Sequence, residues 1–225
     1  MSLVDRLTLQ AHASARIERK FPIHPGQEIW LLRPIYRAGF VKAYPNREVT
    51  SIYFDTQSLS FCMDNINGVR DRIKFRYRFY NDSLLNGVLE AKLKKGFIGF
   101  KKSYSVLDGL TIKFFGSDIK LIDTDQIANF IRDKFQIILR PASTVSYLRS
   151  YFEHPAGMRL TMDKNISSFP CLRVGRGSIR CSQSPVMEIK YPPELDSYIR
   201  MSIFPFFESL SIRATKSSKY VNSII

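Results

Sequence analysis

The sequence predicts an α+β fold: a closed, eight-stranded antiparallel β-barrel with flanking helices. Eight segments alternate between polar and apolar residues with the period of two that strands produce, and eight strands suffice to close a small barrel. The helical segments lie at the start, middle and end rather than between successive strands, which disfavours a parallel α/β fold. The predicted strands are residues 16–23, 49–54, 70–80, 88–94, 103–107, 144–152, 159–163 and 186–191.

Three helices are predicted outside this strand pattern. In the first, Ile29, Leu32 and Ile35 share one face, as in an amphipathic helix. The second and third are predicted over residues 124–135 and from 193 towards 208. These segments are expected to cover the apolar side of the strands.

The chain length and the scattered positions of proline and glycine favour a single domain over residues 1–225. The chain has 44% apolar residues, enough for a core of ordinary size. It shows no fixed-period repeat and no low-complexity stretch, and its prolines and glycines are scattered, so nothing marks a linker.

The cysteines indicate a reducing compartment. Cys62, Cys171 and Cys181 are widely spaced and form no CxxC pair, which argues against a disulfide framework or a structural zinc site. No segment has the apolar core of a signal peptide or the roughly 20 apolar residues of a membrane span. We therefore expect a cytoplasmic protein without a transmembrane segment; its oligomeric state is not indicated.

Charge predicts an anionic partner. Lysine and arginine number 34 against 20 acidic residues, a formal net charge of +14, which suits phosphate compounds, nucleic acids or acidic membranes. The densest basic segment is the predicted strand 70–80, whose one face carries Arg70, Arg72, Lys74, Arg76 and Arg78. The like charges in such a row repel one another unless anions lie opposite. Arginine, moreover, binds phosphate oxygens in pairs. A solvated strand face is the alternative interpretation.

Glutamate alternates with lysine on three other predicted strands. Carboxylates beside phosphates can hold a hard divalent cation such as Mg²⁺ or Mn²⁺, whereas the alternative is cross-strand charge pairing on a wet face. The three Glu-x-Lys pairs are Glu18 with Lys20, Glu90 with Lys92, and Glu188 with Lys190. Two more strands place Tyr147 with Arg149, and Arg159 with Asp163, on shared faces.

The order and spacing of these residues resemble a known family. The segments that carry the resemblance are Glu18 to Lys20, Ser51 to Thr56, Asn67-Gly68, Arg76 to Tyr80, Glu90 to Lys92, Tyr147 to Arg149, Arg159 to Asp163, Glu188 to Lys190 and Ser218 to Tyr220. Together they are similar to the VTC domain, the polyphosphate polymerase module of the triphosphate tunnel metalloenzymes, also called CYTH-like.

The resemblance implies a tunnel whose basic wall grips triphosphate or polyphosphate. It implies transfer of the terminal phosphate of ATP, or another nucleoside triphosphate, to a polyphosphate chain with the help of Mn²⁺ or Mg²⁺. The residues expected to act on the transferred phosphate are Arg76, Arg78, Lys92, Arg149, Arg159 and Lys219. Further substrate contacts are expected from Lys20, Arg72, Lys74, Tyr147, Lys190, Ser218 and Lys102, the last with Lys101 as an alternative. The metal ligands are expected to be Glu188, Glu90 and Glu18.

Two alternatives stay open at this point: a metal-dependent triphosphate hydrolase of the same superfamily, and a non-catalytic polyphosphate or nucleotide sensor. Many tunnel hydrolases begin with Glu-x-Glu-x-Lys, and Arg16 replaces the first of those glutamates here, which weakens a two-metal hydrolase. A nucleic-acid partner is not expected, because phosphate-tracking surfaces usually lack carboxylates interleaved with their cations.

Overall fold

A nine-stranded antiparallel sheet is the central feature of the computed structural model. The structure describes residues 3–8, 16–81, 83, 86–96, 98–105, 112–115, 119–122, 124–171, 180–182 and 184–225. The strands are β1 (Ile17–Pro22), β2 (Val41–Asp55), β3 (Arg72–Tyr80), β4 (Val88–Lys95), β5 (Ile98–Ser105), β6 (Ile112–Phe115), β7 (Ile119–Ile122), β8 (Arg140–Glu153), β9 (Arg159–Pro170), β10 (Arg180–Ser182) and β11 (Val186–Tyr191). The helices are α1 (Leu3–Thr8), α2 (Glu28–Arg37), α3 (Ser60–Ile66), α4 (Thr124–Phe135), α5 (Asp196–Ser202), α6 (Phe204–Glu208) and α7 (Lys219–Ile224), with a short 3₁₀ helix at Pro193–Leu195.

The strand order follows one continuous path, β1-β11-β9-β8-β2-β3-β4-β5, with β10 joined to β9. Each of the eight predicted strands overlaps a strand on this path, although residues 106 and 107 of the fifth lie outside the described residues. A separate hairpin pairs β6 with β7. That hairpin and β10 were not predicted.

The sheet curls into an open half-barrel, so the prediction of a closed barrel was wrong. Within the described residues, the end strands β1 and β5 are not joined by a backbone ladder. The two sides approach through long charged side chains instead, with Lys92 Nζ on β4 at 3.2 Å from Glu18 Oε2 on β1. Paired strands lie about 4.8 Å apart. A lysine and a glutamate that meet end to end hold the backbones of their two strands further apart than that.

The C-terminal segment contributes to the open side. The backbone N–H of Thr215 donates to the carbonyl of Lys20 at 2.9 Å, so this segment, rather than β5, lies against β1 here. The ammonium of Lys20 in turn donates to the carbonyl of Ser217 at 3.0 Å. These contacts direct the chain from α6 back across the half-barrel to α7.

Alternation along β3 separates an apolar convex face from a basic concave face. Ile73, Phe75, Tyr77 and Phe79 are all buried, while the cations between them are partly exposed. Phe75 and Tyr77 belong to a cluster with Ile127 and Ile131 of α4, and each fully buried side chain of this size contributes about 1.5–3 kcal/mol.

A second cluster covers the opposite end of the convex face. Phe21 of β1 and Ile189 of β11 pack with Leu31 and Ile35 of α2 and with Ile199 of α5. The convex face is therefore occupied by helices, and the polar concave face is left for the site.

The predicted helices correspond to α2, to α4 with the predicted bounds, and to the group formed by the 3₁₀ helix, α5 and α6. The short helices α1, α3 and α7 were not predicted. Among the helices that the structure describes, none has both the length and the apolarity needed to cross a membrane.

Candidate functional site

Two adjoining cavities lie on the concave side of the sheet. The inner one has a volume of about 80 Å³ and the outer one about 440 Å³. Lys92, Glu188 and Lys190 line both, which makes the cavities continuous. The predicted site residues that line the inner cavity are Lys20, Lys74, Arg76, Arg78, Lys92, Tyr147, Arg149, Glu188, Lys190, Ser218 and Lys219. Glu18 and Arg159 line the outer cavity.

Strand β3 supplies one wall of the inner cavity, because its period of two turns Lys74, Arg76 and Arg78 to the concave face. Arg76 Nε donates to Glu90 Oε2 at 2.6 Å across the β3–β4 pair. Lys101 Nζ on β5 donates to the other oxygen of the same carboxylate at 2.7 Å. Burial raises the pKa of Glu90, but Arg76, Arg78 and Lys101 outweigh it and bring the pKa to about 2.

A buried ion pair supports another part of the cavity lining. Arg149 donates two hydrogen bonds, of 2.6 and 2.8 Å, to the carboxylate of Asp163, which is fully buried. Lys219 Nζ lies 2.5 Å from the same carboxylate. Burial raises the pKa of Asp163, but these two cations hold it below its ordinary value. Asp163 therefore fixes the position of two cations that line the cavity.

Helix α7 brings the C-terminal residues into the site. Ser218 is the N-cap of α7 and its hydroxyl accepts from the backbone N–H of Val221 at 3.4 Å. The same hydroxyl accepts from Lys74 Nζ at 3.0 Å. Lys219, the next residue, places its ammonium 4.9 Å from the centre of the Tyr147 ring, a favourable cation–π distance.

Lys74 lies among other cations. Burial, together with Lys20, Lys92 and Arg72, lowers the pKa of Lys74 to about 7, against a smaller opposing effect of Glu18. Its charge is therefore poorly compensated by the protein, and an anion in the inner cavity would stabilise the protonated form.

Tyr53 lines the inner cavity and was not predicted. Burial raises the pKa of its phenol, but Arg76 and Arg78 outweigh burial and hold the pKa below its ordinary value. Two tyrosine hydroxyl groups, those of Tyr53 and Tyr147, therefore lie beside the arginines of the inner cavity. The period of two on the strand that contains Ser51 could have identified it.

Two of the three glutamates expected to hold a metal lie together, and the third lies apart. Lys190 Nζ is 2.7 Å from Glu188 and 3.5 Å from Glu18, and Lys20 lies 3.2 Å from Glu18 and 3.9 Å from Glu188. Glu90 is instead engaged by Arg76 and Lys101 on the other side of the half-barrel. In the part of the chain that the structure describes, three or more potential ligand side chains do not gather into a metal-binding group.

Glu18 and Glu188 nevertheless suit a metal that is held jointly with phosphate. Burial raises the pKa of Glu188, yet Lys190 and Lys20 help bring it to about 2. The pKa of Glu18 is also lowered, because Lys92, Lys190 and Lys20 outweigh burial. Both groups are therefore ionised at neutral pH, and Mg²⁺ usually needs only one or two carboxylates when substrate phosphates complete its ligands.

Arg159 and Arg72, which were expected to contact the substrate, lie outside the inner cavity. Arg159 lies at the rim of the outer cavity, 59% exposed and 3.6 Å from Glu153. Arg72 starts β3 and donates to the carbonyl of Val69 at 2.8 Å, outside the set that lines the two cavities.

Lys102 points to the opposite side of the sheet from the one expected. It is paired with Ala91, which is buried in the convex core, and the neighbouring charge of Lys134 on α4 adds to burial in lowering its pKa. Lys101, paired with Lys92, faces the site instead. The sequence left these neighbours undecided, because the choice depends on the register between β4 and β5.

The chain resembles known proteins in its sequence family and in its fold. One family model, described as the VTC domain, matches residues 15–225, whereas no curated protein sequence matches the chain. A candidate adenylate cyclase of Vibrio parahaemolyticus superposes with a TM-score of 0.53 at 10% identity, over 94% of this chain and 99% of that one. A protein of Pyrococcus horikoshii OT3 gives 0.51 at 11% identity, over 93% and 99%. At such identities the two structures share the fold with this chain.

Proposed function

The chain belongs to the VTC domain family, and from that membership we propose that it binds triphosphate and polyphosphate in the basic half-barrel and transfers phosphate. The proposed reaction moves the terminal phosphate of a nucleoside triphosphate such as ATP to a polyphosphate chain, with Mn²⁺ or Mg²⁺ as cofactor. The observation that carries the proposal is the convergence of Arg76, Arg78 and Arg149 on one small cavity together with Lys219.

The charge balance of the inner cavity supports an anionic chain as the ligand. Glu188 is the one carboxylate among its described lining residues, against many cations. Cations held this close in a partly buried space repel one another, and phosphate oxygens would relieve that repulsion. Guanidinium groups also bind phosphate oxygens in pairs.

Phosphoryl transfer requires mainly positioning and neutralisation of the charge on the transferred group. Arg76 and Arg149 are pre-oriented by Glu90 and Asp163, so little rearrangement is needed when the phosphate arrives. In this mechanism Lys219 and Lys92 contact the transferred phosphate, and Ser218 and Tyr147 donate hydrogen bonds to it. No side chain is required as a covalent nucleophile.

Glu188 and Glu18 are the residues that would hold the metal, and Glu90 serves instead to orient Arg76. A bound divalent metal would neutralise charge on the phosphate oxygens. Lys20 and Lys190 now pair with both glutamates, and these lysines would turn towards the phosphates.

The direct test is to incubate the purified protein with ATP and Mn²⁺ and to resolve polyphosphate, ADP and free phosphate. The matched variants are Arg76→Ala with Arg78→Ala, and Arg200→Ala as a control on the outer face of α5, where the side chain is 56% exposed. Long polyphosphate with ADP, lost only in the Arg76/Arg78 variant, would support the proposal.

Other product patterns separate the alternatives. Free phosphate without polymer would assign a triphosphate hydrolase. Tight polyphosphate binding without turnover, abolished in the Arg76/Arg78 variant, would assign a sensor. Absence of both turnover and binding in the unmodified protein would contradict the proposed function.

A further inference from the structure

One wall of the outer cavity differs in chemistry from the basic interior. It contains the rings of Tyr44 and Tyr151 and, beside them, Thr161. We propose that this wall is a nucleoside-binding subsite, where the base stacks on the ring of Tyr44 beside Tyr151 and the ribose lies next to Thr161. The inference rests on the proposed function, since it adds the position of the nucleoside to that of the phosphates.

The two tyrosines form a cross-strand pair on β2 and β8. Their ring centres are 5.9 Å apart and their planes are nearly perpendicular, at 88°. The guanidinium carbon of Arg47 lies 5.5 Å from the centre of the Tyr44 ring, which helps to hold that ring in place. Tyr44 is nevertheless 47% exposed, so a planar ligand can reach aromatic surface that the protein leaves uncovered.

Thr161 provides a second, independent indication of a ligand. Its hydroxyl oxygen is buried and has no hydrogen-bond partner in the described part of the chain. Thr161 stands directly opposite Tyr151 on one side and Glu188 on the other. A buried hydroxyl without a partner is unfavourable, and a hydroxyl group of a bound ribose would supply the missing hydrogen bond.

Size and continuity fix the orientation of the ligand. The outer cavity, at about 440 Å³, falls in the range of about 300–1,000 Å³ usual for small-molecule sites, whereas the inner one is smaller. Lys92, Glu188 and Lys190 join them, so a triphosphate could extend inward from a nucleoside in the outer cavity.

The wall also distinguishes two kinds of phosphate ligand. Inorganic tripolyphosphate has neither a ring nor a ribose, so it gains nothing from Tyr44, Tyr151 or Thr161. A nucleoside triphosphate gains stacking on the ring of Tyr44, as bases do on the aromatic side chains of single-strand binding proteins. The subsite should therefore favour nucleoside triphosphates without changing the affinity for the bare phosphate chain.

The test is calorimetric titration of Tyr44→Ala with ATP and, separately, with inorganic tripolyphosphate. The dissociation constant for ATP should rise by about 5- to 150-fold, the loss that corresponds to one stacked base. The dissociation constant for tripolyphosphate should stay within about twofold of the unmodified protein. Tyr198→Ala is the matched control, since Tyr198 is also 47% exposed but lies on α5, away from the cavity.

Two further variants make the test specific. Tyr44→Phe, which keeps a ring for stacking, should restore most of the ATP affinity. Thr161→Val should weaken the binding of ATP and leave the binding of tripolyphosphate unchanged. If Tyr44→Ala leaves ATP binding unchanged, or weakens both ligands equally, the subsite is refuted while the proposed function stands. If neither ligand binds the unmodified protein, the proposed function itself fails.

Discussion

The phenol of Tyr220 donates a hydrogen bond to the buried carboxylate of Asp55. The same carboxylate accepts from the backbone N–H groups of Phe61 and Cys62, at 3.0 and 2.9 Å, in the first turn of α3. Tyr220 also stacks on Tyr53, with ring centres 4.8 Å apart. Asp55 thus joins β2, α3 and α7, and the start of α7, with Lys219 and its N-cap Ser218, lines the inner cavity.

Tyr220→Phe is expected to lower the free energy of unfolding by about 1–3 kcal/mol, because it leaves a buried acceptor without one partner. Urea denaturation followed by circular dichroism measures this loss. Since Lys219 and Ser218 precede Tyr220 directly, tripolyphosphate should also bind more weakly. The half-exposed Tyr36 on α2 supplies the control Tyr36→Phe; equal stability of the two variants would contradict the role of Asp55.

Lys101 and Lys102 should differ in their effect on ligand binding although they are neighbours. Lys101 reaches Glu90 on the concave face and Lys102 lies on the convex side. Lys101→Ala should weaken tripolyphosphate binding by about two- to fivefold, the scale of one partly exposed charge, while Lys102→Ala should leave it unchanged. Isothermal titration of both variants under the same salt conditions measures the two effects, and the reverse order would mean that Lys102, not Lys101, faces the cavity.

Binding should depend on the protonation of Lys74. Its pKa is about 7 in the free protein because of burial and the nearby Lys20, Lys92 and Arg72, and a bound anion raises it. Tripolyphosphate should therefore bind less tightly as pH rises above about 7, with proton uptake on binding. Titrations in buffers of different ionisation enthalpy measure that uptake.

Lys74→Arg is the matched variant, since arginine stays protonated throughout this range. The component of proton uptake due to Lys74 should disappear in it, while any titration of the ligand itself is retained. Identical uptake by the two proteins would exclude Lys74 as the titrating group.

Glu90 should stabilise the fold at neutral pH and lose that effect in acid. Its pKa falls from 4.5 in ordinary surroundings to about 2 in the folded protein. A lowered carboxyl pKa gives stability that is complete above about 4.5 and is lost as pH falls towards 2, at most about 3 kcal/mol for a shift of this size. The difference in unfolding free energy between the unmodified protein and Glu90→Gln should shrink as pH falls from 5 towards 2. A difference that stays constant over this range would contradict the stabilising role of ionised Glu90.

The alternation of side chains was predictable from the sequence alone, because successive residues of a strand point to opposite faces whatever the strand pairs with. That rule identified the buried row from Ile73 to Phe79 and the opposing Lys74, Arg76 and Arg78, and the structure confirms both. The same rule, applied two residues beyond Arg149, points to Tyr151, which was not used.

The tertiary structure decided what depends on contacts between distant segments. Register placed Lys101 rather than Lys102 on the concave face and set Tyr44 opposite Tyr151, after irregular pairing in β2 that obscures the alternation. The C-terminal segment and α7 were brought into the site by the contacts of Lys20 and Asp55. Closure was also decided by a long-range contact, because the segment that contains Thr215, rather than β5, lies against β1. The sequence by itself thus determined which residues could face the phosphate, and long-range pairing determined which of them meet.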